Sequence, residues 1–171
     1  MNDFFRKKKE KKIHLYTDGS SKGNPGPGGY AIFIEIVGTS YKKVISEGFR
    51  YTTNNRMELL AVIVGLEEIT KIKQNIIVFT DSKYIVNTIQ NNWIYKWKKN
   101  NFYKKKNVDL WTRFLEIFQK HLILFQWIKS HNNHHINNFC DKLSVEASKS
   151  KNLKIDYEYE QQNKKVKKNI K

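Results

Sequence analysis

The chain has 171 residues and a mass of 20.4 kDa, with 39% hydrophobic and 13% aromatic residues, which suits one folded domain and excludes a disordered chain. No stretch approaches the roughly 18 unbroken apolar residues of a membrane helix. The single cysteine, Cys140, excludes an internal disulfide, and residues 1–12 are charged with no apolar signal core, so a soluble protein of a reducing, cytoplasmic compartment is expected.

Charge narrows the partner class. The 32 Lys and Arg against 16 Asp and Glu give +16. Residues 1–12 hold six basic and two acidic residues and residues 151–171 seven and three, which leaves +8 on residues 13–150. An excess carried by the folded part as well as its ends favours a polyanion, because each lysine that neutralises a phosphate releases condensed counterions.

In chain order, His14–Thr17 and Tyr30–Val37 read as strands separated by the Gly/Pro-rich run 23–29, which no helix crosses, and Tyr41–Tyr51 as a third strand. Such short connections force antiparallel pairing. From Asn55 to about Lys71 the pattern becomes helical, capped by Thr53 or Asn54 and apolar around nearly its whole circumference, so a central buried helix is expected. The apolar run Ile76–Phe79 is a strand reached by a crossover, hence parallel to an earlier one. Helices are expected at Ser82–Gln90 and Val108–Lys120, a fifth strand at Leu122–Ile128 and a last helix at Asn137–Ser148. Residues 1–12 form a basic extension, 13–148 the domain, and 149–171, polar and charged without a period, a flexible tail.

Two strand ends repeat one pattern, Leu15-Tyr16-Thr17-Asp18-Gly19-Ser20 and Val78-Phe79-Thr80-Asp81-Ser82. If the two strands are parallel neighbours, roughly 4.8 Å apart, Asp18 and Asp81 leave the same sheet edge and repel unless a cation lies between them. Either Asp taken alone reads first as a cap on the turn or helix that follows it, and the two together weaken that reading. Glu58 stands in the first turn of the apolar helix, where an unpartnered carboxylate is costly to bury, although the helix dipole offers it a small stabilisation. Asp141, near the start of the last helix, has the same ambiguity. Four such acids at one edge would suit hard cations such as Mg²⁺ or Mn²⁺, and no Cys/His spacing suggests zinc.

Asp18-Gly19-Ser20, the run 23–30, Thr52-Thr53-Asn54-Asn55-Arg56-Met57-Glu58-Leu59, Thr80-Asp81-Ser82, Asn107-Val108-Asp109-Leu110-Trp111 and Cys140-Asp141 resemble type I ribonuclease H of the bacterial kind over about residues 12–148. The resemblance implies an α/β ribonuclease H-like fold: a five-stranded mixed sheet, antiparallel in strands 1–3 and parallel in strands 4 and 5, flanked by helices. It implies a monomeric endonuclease that cuts the RNA strand of RNA/DNA hybrids with two Mg²⁺ ions, Mn²⁺ substituting, and leaves 5′-phosphate and 3′-hydroxyl ends. Asp18, Glu58, Asp81 and Asp141 match the family's metal-binding acids, and His131 its mobile-loop histidine, ahead of the neighbouring His134 and His135. Asn24, Asn54 and Asn55 match residues near the hybrid groove. Thr53, Arg56 and Asn107 match a pocket for a DNA-strand phosphate. A non-catalytic nucleic-acid-binding module of the same fold is the alternative.

Between Trp93 and Trp111 the segment 93–106 holds six lysines and no acid among aromatics, which marks a backbone-gripping handle with Trp93, Lys98, Lys99, Lys104 and Lys105 as candidate contacts. Trp93 and Trp97, four apart, read alternatively as the core side of a helix. Cys140 reads as a small buried hydrophobe.

Overall fold

The computed structural model describes residues 11–129 and 134–168. Its sheet is built from β1 (Lys12–Ser21), β2 (Gly26–Ile36), β3 (Lys42–Thr52), β4 (Asn75–Thr80) and β5 (Leu122–Trp127) in the order β3-β2-β1-β4-β5. The first three pair antiparallel, whereas β4 runs parallel to β1 and β5 parallel to β4. The mixed sheet expected from the short connections and the one crossover is therefore observed.

Strand alternation divides β1 between two cores. Ile13 and Leu15 face α1 (Asn54–Glu67), while Tyr16 faces the other side with Ala31, Phe79 and Cys140. The first core is sealed by α1 lying between the sheet and α4 (Val108–Phe118), so α1 is apolar all round because it is covered on both sides. Met57, Leu59, Ala61, Val62, Ile63 and Leu66 are fully buried there, with Trp111 and Phe114 of α4 behind them. Truncating a side chain such as Trp111 to alanine in such a core costs about 3–5 kcal/mol. The opposite sheet face is covered by α5 (His135–Ala147), which packs on β1, β2 and β3.

The close approach of α5 requires glycine: a Cβ on Gly48 would stand 2.0 Å from the Ala147 carbonyl oxygen. The remaining helices are α2 (Lys83–Gln90), α3 (Trp93–Lys99) and α6 (Tyr157–Lys168). Among the described residues no helix is long and apolar enough to cross a membrane.

Two expectations are corrected. Residues 149–171, read as a flexible tail, contain a strand-like bridge from Lys154 to Phe49 and then α6. Ion pairs, not an apolar stripe, dock this segment: Arg50 holds Glu160 through two hydrogen bonds of 2.8 and 2.7 Å, and Asp156 is buried against Thr52 and Arg56. A hydrophobic-period reading cannot detect such docking. Trp93, read as helix core beside Trp97, is 41% exposed, and Ile94 is the buried residue of α3. Trp97 packs edge-on to Trp111, as a core position would.

Candidate active site

The C-terminal end of β1 and that of β4 lie at the same sheet edge because the two strands are parallel, with Tyr16 opposite Phe79. Asp18 and Asp81 each stand two residues further along, after Thr17 and Thr80. Glu58 reaches this edge because α1 starts against the end of β1: a Cβ on Gly19 would fall 2.2 Å from the Glu58 backbone nitrogen. Glycine is thus required for the strand and helix start to meet. Thr53 caps α1, accepting from the Arg56 N–H at 3.4 Å, so Glu58 is the helix's fifth residue and stands beyond the first turn expected for it.

Asp18, Glu58, Asp81 and Asp141 line one cavity of about 320 Å³, together with Gly19, Ser20, Asn54 and Asn137. Burial, then the charges of Asp81, Asp141 and Glu58, push the Asp18 carboxyl up to about 8. Burial likewise raises Glu58 to about 7, against the pull of hydrogen bonds from Ser82 and Asn54. Asn54 Nδ2 donates to Glu58 Oε1 at 2.7 Å, and Ser82 Oγ donates to the other oxygen.

Among the described residues, no three His, Cys, Asp or Glu side chains are drawn together tightly enough to cage an ion as they stand. The four carboxylates ring a cavity and do not converge on a point, as mutual repulsion requires. The donor chemistry nevertheless fits a hard divalent cation: the carboxylates are all oxygen donors, and burial, with the charge of Asp81 adding to it, raises two of them, Asp18 and Glu58, a shift that a bound cation would relieve. Ser20 Oγ and Asn137 Oδ1, two further buried oxygens on the cavity wall, have no hydrogen-bond partner among the described residues.

Beside this cavity, across the start of α1, lies a second of about 430 Å³. Asn54 spans the two, its N–H donating to Asn24 Oδ1 at 3.2 Å while its side chain holds Glu58. Asn24, Thr53, Asn55, Lys105 and Asn107 line the second cavity. Arg56, expected there as a phosphate ligand, is not among the residues that line it and lies buried behind it. Its Nε and Nη2 donate to Asp156 at 2.7 and 2.8 Å, its Nη1 and Nη2 to Asp109 at 2.9 and 2.6 Å, and its Nη1 also to Asn107 Oδ1 at 3.5 Å. All five guanidinium donors are therefore taken. Burial opposes the Arg56 charge, but the hydrogen bonds of Asp109 and Asp156 outweigh it and hold the group charged.

Asn107 adopts the left-handed conformation, φ 58°, that asparagine tolerates better than most residues, and its Nδ2 donates to Tyr84 Oη. Tyr84, which also accepts from Trp111 Nε1 at 2.7 Å, thus fixes Asn107.

Lys98, Lys99 and Lys104 are exposed on α3 and the turns after it. Lys105 Nζ lies 4.9 Å from the Trp97 ring centre. His131 lies outside the described residues. Of its two competitors, His134 packs against Tyr16 and Phe79 behind the sheet, and His135 is exposed at the start of α5.

Sequence reasoning missed Ser82 as a Glu58 partner, Asn137 as cavity wall, and Asp109 and Asp156 as clamps on Arg56. Asp109 lies inside a recognised motif and was findable as the acid facing a buried arginine. Asp156 sits among lysines with no pattern that marks it.

The sequence model of the RNase H family matches residues 10–149. A ribonuclease H of Desulforamulus reducens is 48% identical over 151 residues, covering 85% of this chain and 93% of that protein. One of Rippkaea orientalis is 44% identical over 155 residues, covering 88% and 93%. Among solved structures, LC9-RNase H1, a type 1 RNase H with the type 2 active-site motif, superposes with a TM-score of 0.72 at 25% identity, covering 81% of this chain and 72% of that one. LC11-RNase H1 in complex with an RNA/DNA hybrid gives 0.61 at 26% identity, covering 80% and 96%.

Proposed function

The chain belongs to the ribonuclease H family, and on that premise we propose that it hydrolyses the RNA strand of RNA/DNA hybrids within the cavity ringed by Asp18, Glu58, Asp81 and Asp141. The observation that carries this reading is that four carboxylates, from β1, α1, the residue after β4 and α5, line one cavity, with Asp18 pushed up to about 8.

Those four acids would hold divalent ions, two Mg²⁺ with Mn²⁺ as substitute. Such ions, when bound, supply Lewis acidity at the scissile phosphodiester and lower the pKa of an attacking water. The chain's own residues bind and orient. Asn54 and Ser82 fix the Glu58 carboxylate in one direction. Of the three asparagines expected near the hybrid groove, Asn54 lines the acidic cavity and its amide oxygen can meet the 2′-hydroxyl that only the RNA strand presents, while Asn24 and Asn55 line the second cavity beside it. Water adds to phosphorus and the bond to the 3′-oxygen breaks, so the water oxygen stays on a 5′-phosphate and the departing 3′-oxygen takes up a proton. His131 is the proposed aid to that proton transfer or to product release. Thr53 and Asn107 address a phosphate of the DNA strand, and the lysines of 93–106 grip the backbone beyond. The domain responsible spans 13–148, with a basic extension at 1–12.

Cys140 takes no chemical part. Burial, and then the nearby Asp18 charge, raise its thiol to about 12, which keeps it protonated and inert. A lone buried thiol accords with a reducing compartment such as the cytoplasm.

The test incubates the purified chain with end-labelled RNA/DNA hybrid, duplex RNA and duplex DNA, in Mg²⁺ and in chelator. Cleavage of hybrid alone, in Mg²⁺ alone, is the expected result; an intact hybrid in Mg²⁺ sinks the reading.

A further inference from the structure

We propose that α6 is the outer wall of a strand-binding groove, and that Tyr159, Gln162 and Asn163 contact the sugar–phosphate backbone of the strand opposite the one cut. The inference rests on the hybrid-cleaving reading and extends it to a segment beyond the matched residues 10–149.

The geometry of the second cavity carries it. Its inner wall is Asn24, Thr53, Asn55 and Asn107, with Lys105 and Lys106 at the side, and its outer wall is Tyr159, Gln162 and Asn163 of α6. The three α6 residues share one helix face at spacings of three and four. Among the described residues no carboxylate lines the cavity, although α6 begins with Glu158 and Glu160. Those acids are directed elsewhere: Glu160 is bound by Arg50, and Glu158 borders a different cavity with Arg113. Two ammonium groups, amides and a phenol with no acid form a surface for a phosphodiester backbone.

The placement of α6 is built and not incidental. Lys154 adds a bridge to β3, its N–H donating to the Gly48 carbonyl at 2.8 Å while its own carbonyl accepts from Arg50 at 2.9 Å. Asp156 then fastens the helix start to Thr52 and Arg56. The Tyr159 ring lies 5.5 Å from the Arg56 guanidinium carbon and 5.8 Å from the Tyr51 ring. Arg56 therefore serves the groove as the anchor of its outer wall. The groove also lies where a second strand would run. The start of α1 supplies Asn54 and Glu58 to the acidic cavity and Thr53 and Asn55 to this one, so a duplex straddling that helix end sets one backbone in each.

The test uses the full chain. Gln162→Glu/Asn163→Asp places two negative charges on the groove wall, and Gln161→Glu/Lys164→Gln makes the same net change on neighbouring α6 residues that do not line it. Affinity for a fluorescent RNA/DNA hybrid is read by anisotropy in chelator, and kcat and KM in Mg²⁺. The groove variant is expected to weaken hybrid affinity and raise KM by about 5- to 20-fold, with kcat within about twofold and only the small drop in melting temperature that losing the bond from Asn163 Nδ2 to the Tyr159 carbonyl brings. The control variant is expected to shift KM by less than about twofold. Equal shifts in both variants, or no shift in the groove variant, overturn the proposal. So does tighter binding on Asp156→Asn, which would make α6 a cover over the groove. Wild-type chain that binds hybrid without cutting it refutes the cleavage reading while leaving the affinity comparison intact.

Discussion

Asp18 stands among three other acids at 7% exposure, and its carboxyl is raised from an ordinary 3.8 to about 8, chiefly by burial and then by Asp81, Asp141 and Glu58. Without a cation, its ionisation thus opposes the fold. The sign is that of a raised acid: below about pH 4 the folded and unfolded chains both hold the proton, and stability is lost as pH rises from there through about 8, because the unfolded chain releases the proton first. Asp18→Asn removes the titration. In chelator at pH 7.5 it should stabilise the chain by about 1–3 kcal/mol in urea unfolding, with the gain shrinking toward pH 4.5. Adding Mg²⁺ should raise the melting temperature of the wild type and not of the variant, since only the wild type offers the full donor set. Turnover of hybrid should fall to below about 1%. An Asp18→Asn chain that is less stable in chelator at pH 7.5, or that cuts at wild-type speed, contradicts this account. At the same scale, Arg56→Ala leaves Asp109 and Asp156 facing each other without their shared cation. A loss of about 3–5 kcal/mol in unfolding is expected, and Arg56→Lys, which keeps the charge but not the five-donor fork, should recover only part of it.

Elements meet at this site through backbone proximity. β1 delivers Asp18 and α1 delivers Glu58, and Gly19 is the contact that lets them touch. Gly19→Ala forces a methyl into the Glu58 backbone, so the strand end and helix start must separate. The expected result is a loss of about 2–4 kcal/mol and a fall in kcat larger than the rise in KM, because the acids are displaced while the groove beyond them stays in place. Retention of wild-type kcat would show that the acids tolerate independent placement. The two strand-end acids were legible because Thr-Asp recurs after two apolar runs, and the buried helix because its apolar residues circle the axis. The fate of Trp93 was not, since i and i+4 spacing cannot say which side of a short helix faces inward, and Ile94 took that place. α6 was also illegible. It buries little apolar surface and is held by Asp156 and Glu160, whose partners Arg56 and Arg50 lie a hundred residues or more away, so neither periodicity nor local spacing records it. His131 was legible as a motif alone.

On the scale of the whole molecule, an acidic cavity is embedded in a protein of net charge +16. The two are complementary. The surplus of lysine draws a polyanion from solution and the local acids hold cations against it, so affinity is electrostatic while turnover depends on geometry. Salt should separate these quantities. Raising NaCl from 50 to 200 mM should increase KM by at least about tenfold while kcat changes little, because binding displaces counterions and the enclosed reaction does not. The exposed lysines of the segment 93–106 are the largest acid-free contribution to that field, and Trp97, packed on Trp111, fixes the base from which they project. Replacing Lys98, Lys99, Lys104 and Lys105 together by alanine should therefore reduce the slope of log KM against log salt by about 2–4, roughly one for each phosphate no longer neutralised, and leave kcat at saturating hybrid unchanged. If KM rises in that variant but the slope stays as in the wild type, the lysines support the fold of α3 and do not meet phosphates. If the slope falls and KM at low salt rises with it, the segment is the handle by which the molecule holds its substrate, and the carboxylate cavity acts on a strand already positioned for it.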